Sequence, residues 1–98
     1  MKKAAAIAGL KAREQAIRAL GATSLFLFGS TARDEAEPGS DLDIFIEYDP
    51  AKKFSLLDLA GIKVLIEDEV GAEVDITTRD SLHPLLRRRI EDSAIRIF

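Results

Sequence analysis

Hydrophobic and polar positions change rhythm several times along this 98-residue chain, and each change predicts an element. From Ala4 to Leu20 an alanine-rich stretch places Ile7, Leu10, Ile17 and Leu20 on one face at about 100° per residue, which predicts a helix stopped by Gly21. The run Leu25-Phe26-Leu27-Phe28, closed by Gly29, has the continuous apolar character of a strand buried on both faces in the middle of a sheet. Ser30 to Glu35 predicts a short helix, and Glu37-Pro38-Gly39-Ser40 a loop. Residues 41–47 alternate, with Leu42, Ile44 and Ile46 on one side and Asp41, Asp43 and Glu47 on the other, so a strand there carries an apolar face and an acidic one.

Ser55 with Asp58 three residues on resembles a capping box, opening a helix that reaches about Val70 and ends at Gly71. Its core-facing stripe is expected to be Leu56, Leu59, Ile66 and Val70. Leu57 and Val64 form a second stripe, which either another helix of the chain or a partner covers. Residues 73–77 alternate again and predict a third strand, with Val74 and Ile76 opposite Asp75. A last helix, capped by Asp80 or Ser81 and tolerating Pro84 in its first turn, is expected to carry Leu82, Leu85, Leu86, Ile90 and Ile97 along one side. The order is αβαβαβα, an α/β layering in one domain spanning 1–98, without repeats or linkers.

Composition narrows the chemistry. Hydrophobic residues make up 47% and charged residues 32%, the balance of a packed globule with a solvated surface. A net charge of -3 argues against direct nucleic-acid binding, and no apolar run approaches a membrane span, so a soluble cytoplasmic protein is expected. With no cysteine and one histidine, His83, thiolate and histidine-rich metal sites are excluded. Any metal must therefore take oxygen ligands, which select hard cations such as magnesium or manganese.

The aspartates supply such ligands. Asp41 and Asp43, two positions apart on one strand, lie about 7 Å apart along the backbone and point the same way, so their carboxylates can converge on a pair of cations. Asp75 obeys the same alternation, and on a neighbouring strand it would join them from about 4.8 Å away. Three facing carboxylates repel one another unless protons or metals intervene. Upstream, Gly29-Ser30 stands between a buried strand and a helix, where backbone N–H groups and a close-approaching glycine suit a phosphate, and Arg33 can add positive charge on the same side. Taken singly, a Gly-Ser pair is an ordinary turn and an Asp-x-Asp strand an ordinary solvated face; their order along the chain is what raises them to a site.

Leu27-Phe28-Gly29-Ser30-Thr31-Ala32-Arg33 followed by Ser40-Asp41-Leu42-Asp43-Ile44 resembles the signature of the minimal nucleotidyltransferases, small members of the DNA polymerase β-like nucleotidyltransferase superfamily. The resemblance implies that superfamily's α/β fold, a small mixed sheet with helices packed on one face. It implies that Asp41 and Asp43 hold two magnesium ions, that Asp75 is the third catalytic carboxylate, and that Gly29 and Ser30 bind the β- and γ-phosphates of ATP. Arg33 and Ser40 complete the expected nucleotide-binding set. Where relatives commonly have glycine after the motif arginine, this chain has Asp34, which brings an extra negative charge close to the phosphate site.

The resemblance also implies a partner. Minimal nucleotidyltransferases are frequently paired with HEPN-domain ribonuclease toxins, which they neutralise as antitoxins by adenylylating a tyrosine, so a hetero-oligomer is expected. The length agrees, since 98 residues hold a catalytic layer and little acceptor site. Two alternatives stand beside this: an antitoxin that acts by binding alone, and transfer of a nucleotide to a small molecule. Arg87, Arg88 and Arg89 fan out around a helix rather than forming one face, so they read as a solvated surface, with contact to an acidic partner as the minor reading. His83 reads as a first-turn surface residue.

Overall fold

A computed structural model describes residues 1–98. The expected first helix is two: α1 (Lys3–Ala12) and α2 (Glu14–Ala19) meet at Arg13, whose φ of -108° and ψ of 12° break the helical run. The reason is tertiary. α1 packs along the later helix α4 (Leu56–Val70), whereas α2 packs against the first strand, and a straight rod cannot follow both. Gly9 permits the α1–α4 approach, because a Cβ there would lie 2.9 Å from Val70 Cγ1.

Strand β1 runs over Ala22–Phe28, longer than the apolar run alone suggests, and leads into a one-turn helix α3 (Gly29–Ala32), shorter than expected. Strand β2 spans Leu42–Tyr48. α4 begins on the expected capping box: Asp58 Oδ2 accepts the Ser55 N–H at 2.8 Å, and Ser55 Oγ accepts the Asp58 N–H at 3.4 Å. It ends at Gly71, whose φ of 68° is the left-handed cap conformation. Strand β3 is Val74–Thr78.

The chain after β3 differs most from the reading by periodicity. Arg79–Ser81 forms a single 3-10 turn, the helix α5 starts only at Arg87 and ends at Ser93, and a fourth strand β4 (Ile95–Arg96) follows. Ile97 is buried as expected, but by the sheet and not by a helix: its N–H donates to Leu25 O at 2.8 Å, and Leu25 N–H donates to Phe98 O at 3.0 Å. The seven predicted elements thus keep their order, with one helix broken and one strand added. No helix is long and apolar enough to cross a membrane.

The four-stranded sheet has the order β3-β2-β1-β4 and is mixed, with β1 antiparallel to β2 and β4, and β2 parallel to β3 through the α4 crossover. One face carries Leu25, Leu27, Leu42, Ile44, Ile46 and Val74 into the core, against Ala6, Leu10, Ile17, Ile62 and Ile66 of the helices. Ile62 and Ile66 are the fully buried positions of α4. Leu56, expected in the core-facing stripe, is 83% exposed because α4 turns its first residue away from the sheet. Leu57 and Val64, at 84% and 56% exposure, are not covered by any other helix of the chain.

The opposite face is not simply open. Phe45, one of the most deeply buried side chains, stacks on Phe26 with ring centroids 4.6 Å apart and tilts against Phe28 at 5.7 Å. Arg79 lies over the rings of Phe26 and Phe45 and pairs with Glu47 at 3.3 Å and with Glu91 of α5, which ties α5 to this side.

Candidate active site

The sheet register builds the site. Asp43 is paired with Asp75 across the parallel β2–β3 ladder and with Phe28 across the antiparallel β1–β2 ladder, so the residue after Phe28, Gly29, arrives beside the Asp43 side chain. Gly29 has φ of +74°, and a Cβ built on it would overlap Asp43 Oδ2 and stand 3.0 Å from Asp43 Cγ. Glycine is thus required twice, for its backbone angle and for the space the carboxylate takes. The end of the first strand and the start of the second are locked into one another at this point.

Two contacts fix the start of β3, one to β2 and one to α4. The Leu42 N–H donates to Glu73 O at 2.9 Å, and Glu67, on α4, accepts the Val74 N–H at 3.0 Å. Glu67 is a positioning residue that periodicity does not reveal, since on the helix it reads as one more solvated acid. Asp41 lies one residue outside β2, in the approach to the strand rather than on it, and is exposed; Asp75 is exposed and Asp43 half-buried. Asp43 is held above the usual carboxylate range, first by its burial, then by the negative charges of Asp75 and Asp41, with Arg33 acting in the opposite sense. Asp41, Asp75 and Arg33 are therefore all within electrostatic reach of Asp43.

This crowding of oxygen donors fits a hard cation such as magnesium. In the arrangement seen, however, no three Asp, Glu or His side chains stand close enough together to form a ligand set around one point. Asp43 and Asp75 share a register, and Asp41 lies exposed in the approach to β2.

The other expected residues are placed as follows. Ser30 is half-buried in α3, and its carbonyl accepts the Glu35 N–H at 2.8 Å. Arg33 follows α3 and pairs with Glu35 at 3.2 Å while remaining half-exposed. Ser40 closes the loop before the aspartates, its Oγ accepting the Glu37 N–H at 3.1 Å. Asp34, with φ of 58°, occupies the left-handed conformation that explains why glycine suits this position and why aspartate tolerates it. Its carboxylate accepts the Lys3 N–H at 3.2 Å, so the extra negative charge is spent at the positive end of α1.

Beside Gly29 opens a cleft of about 490 Å³ lined by Phe28, Gly29, Arg33, Arg89, Ile90 and Ser93. Arg89 reaches it from α5 and escapes sequence reasoning, because three consecutive arginines carry no facial signal until the helix is placed. Arg87 instead pairs with Glu91 at 3.5 Å. His83 is exposed, and its Nδ1 accepts the Leu85 N–H at 3.2 Å. A smaller hollow of about 170 Å³, lined by Ile46, Tyr48, Arg79 and Asp80 among others, belongs to the far end of β2, where Tyr48 Oη donates to Asp80 at 2.8 Å.

Known proteins resemble this chain in sequence and in fold. The chain matches the family described as "Nucleotidyltransferase domain" over residues 10–97. It is 46% identical over 69 residues to a Methanocaldococcus jannaschii protein named "Putative protein adenylyltransferase", covering 70% of this chain and 72% of that protein. A solved "Structure of putative minimal nucleotidyltransferase" superposes with a TM-score of 0.74 at 34% identity, over 97% of this chain and 95% of the other. Two toxin–antitoxin structures share the fold at low identity. One, crystallised with AMP-PNP, has a TM-score of 0.72 at 15% identity, over 90% of this chain and 72% of the other. The other, a tri-AMPylated HEPN toxin with its MNT antitoxin from Shewanella oneidensis, has a TM-score of 0.63 at 14% identity, over 90% and 68%.

Proposed function

The chain belongs to the nucleotidyltransferase domain family, as one of its minimal members, and on that premise we propose that it transfers AMP from ATP to a tyrosine hydroxyl of a partner HEPN ribonuclease toxin, acting as its antitoxin. The observation that carries this reading is the lock between Gly29 and Asp43: a glycine turn pressed against a strand carboxylate that is itself in register with Asp75. A phosphate held by the backbone of that turn would lie beside the acids, which is what transfer at phosphorus demands. The adenylyl donor and the toxin partner draw support from the relatives named above.

Asp41, Asp43 and Asp75 would hold magnesium, which when bound neutralises triphosphate charge and eases ionisation of the acceptor hydroxyl. The chain's own residues do the rest. Gly29 and Ser30 offer backbone and hydroxyl donors to the β- and γ-phosphates, and Arg33 adds fixed positive charge beside them. Ser40 sets the loop that delivers Asp41. The acceptor oxygen forms a bond to the α-phosphorus as the bond from that phosphorus to the α–β bridging oxygen breaks. The electron pair leaves with pyrophosphate, and the hydroxyl proton passes to the Asp75 carboxylate.

The test is transfer of labelled AMP from ATP, with magnesium, to a cognate HEPN protein. Label on toxin tyrosine, absent with Asp43→Asn, supports the reading; an unlabelled toxin overturns it. The exposed Leu57 and Val64 favour a second reading, neutralisation by contact alone. Under that reading Asp43→Asn still neutralises the toxin and Leu57→Asp does not.

A further inference from the structure

Resting on that reading of the site, we propose that Arg89 is a substrate-binding residue which, with Arg33, holds the polyphosphate of the nucleoside triphosphate and then the departing pyrophosphate. Residues 87, 88 and 89 diverge by about 100° each around α5, so the tertiary structure gives each a different neighbour. Arg87 is paired with Glu91, which also holds Arg79. Arg89 instead faces the cleft across from Gly29 and Arg33, and none of the chain's ion pairs includes it.

The lining of the cleft favours an anion, with Arg89 unpaired and Arg33 held at 3.2 Å by Glu35 outside it. In a chain with 17 acidic and 14 basic residues, none of the six residues lining this cleft is acidic, and two are arginines. Its volume, about 490 Å³, lies within the range of roughly 300–1,000 Å³ usual for small-molecule sites. Gly29 forms one wall, and behind Gly29 stands Asp43, so an anion in the cleft is contiguous with the carboxylates where the α-phosphate would react. A polyphosphate spans both regions; a lone phosphate does not.

The guanidinium is suited to the task because its planar fork can give two parallel N–H bonds to phosphate oxygens. α5 is tied to the sheet face by the pair between Glu91 and Arg79, two residues beyond Arg89, and within the helix Ser93 Oγ donates to Arg89 O at 3.2 Å. When the α-phosphorus to bridging-oxygen bond breaks, the negative charge that develops on pyrophosphate faces Arg33 and Arg89.

Calorimetric titration of the full chain with magnesium and ATP, tripolyphosphate or AMP tests this. Arg89→Ala should weaken ATP and tripolyphosphate by about tenfold, the loss of one charge-assisted contact, and leave AMP binding unchanged. Arg89→Lys should recover part of the loss, and Arg88→Ala should match the parent. Arg89→Gln, which keeps the aliphatic stem, replaces the alanine variant if thermal melting shows that the latter unfolds early. Parent-like ATP and tripolyphosphate binding by Arg89→Ala and Arg89→Gln overturns the proposal while leaving the nucleotidyltransferase reading intact, as does an equal loss for AMP, which marks a structural role. If the parent itself binds no ATP, both fall.

Discussion

The two faces of the sheet are made from the same strands and obey opposite rules. On one, Leu25, Leu27, Ile44 and Ile46 are wholly buried among helix residues, and each contributes by excluding water and filling volume. On the other, alternate residues of the strands carry Asp43 and Asp75 beside an aromatic cluster of Phe26, Phe28 and the fully buried Phe45. The second face stabilises itself with stacked rings and the Arg79 guanidinium at its centre and leaves its edge, next to Gly29, crowded with negative charge. The lesson is that one strand, β2, serves stability and chemistry through neighbouring residues that point apart, so Asp43 and Ile44 can be perturbed separately.

The largest expected effect breaks the chemical side. Asp43→Asn should lower adenylyl transfer by about a thousandfold or more, measured with labelled ATP, because it removes a carboxylate from the centre of the proposed magnesium site. Ile44→Ala, one residue on, should cost about 2–5 kcal/mol of unfolding free energy through the cavity it leaves, measured by urea denaturation, while transfer survives at low temperature. If both variants lose the same property, the division between the faces is wrong.

A smaller effect sharpens the comparison through pH. Asp43 is raised above its usual value in the folded protein by burial and by its carboxylate neighbours, so the folded state binds its proton more tightly than the unfolded state does. Its contribution is fully present below the ordinary carboxylate pKa and is lost as pH rises from there through the raised folded value. Without magnesium, Asp43→Asn should therefore melt above the parent at neutral pH, and the difference should shrink on acidification. An unchanged melting temperature at pH 7 would show that the crowding is relieved in solution.

The smallest effects belong to positions outside both faces. Leu57→Asp should change stability by no more than about 0.5 kcal/mol, since the side chain is already in solvent, while weakening any complex made through α4. Asp34→Gly should be nearly neutral in thermal melting: it relieves a left-handed non-glycine residue and loses the bond to the α1 terminus. A large loss of stability in Asp34→Gly would mean that the bond to Lys3 does more than offset the backbone strain.

Much of this was legible in the order of residues. The alternation of residues 41–47 and 73–77 announced strands with acidic faces, and the capping box and Gly71 bounded α4 correctly, because these signals are local and act within a few residues. The break at Arg13, the short α5 and the pairing of Ile97 and Phe98 with Leu25 were not legible, because each answers to a surface supplied by distant chain. Periodicity turns Leu56 inward and does not single out Ile62 for the same reason: a helix apolar on several sides leaves its rotation to whatever it meets.

The sequence by itself determined which residues could do chemistry: oxygen ligands without thiols, a glycine at the end of an apolar strand, and aspartates at the period of a strand. Only the tertiary structure decided which of them meet. Register put Asp43 beside Asp75 and against Gly29, the turn after Arg33 sent Asp34 to α1, and the placement of α5 turned one arginine of three toward the cleft. The physical reason is range: periodicity and capping act along the chain, whereas charge repulsion, cavity shape and close approach depend on distances in space that the chain sets only once it has folded.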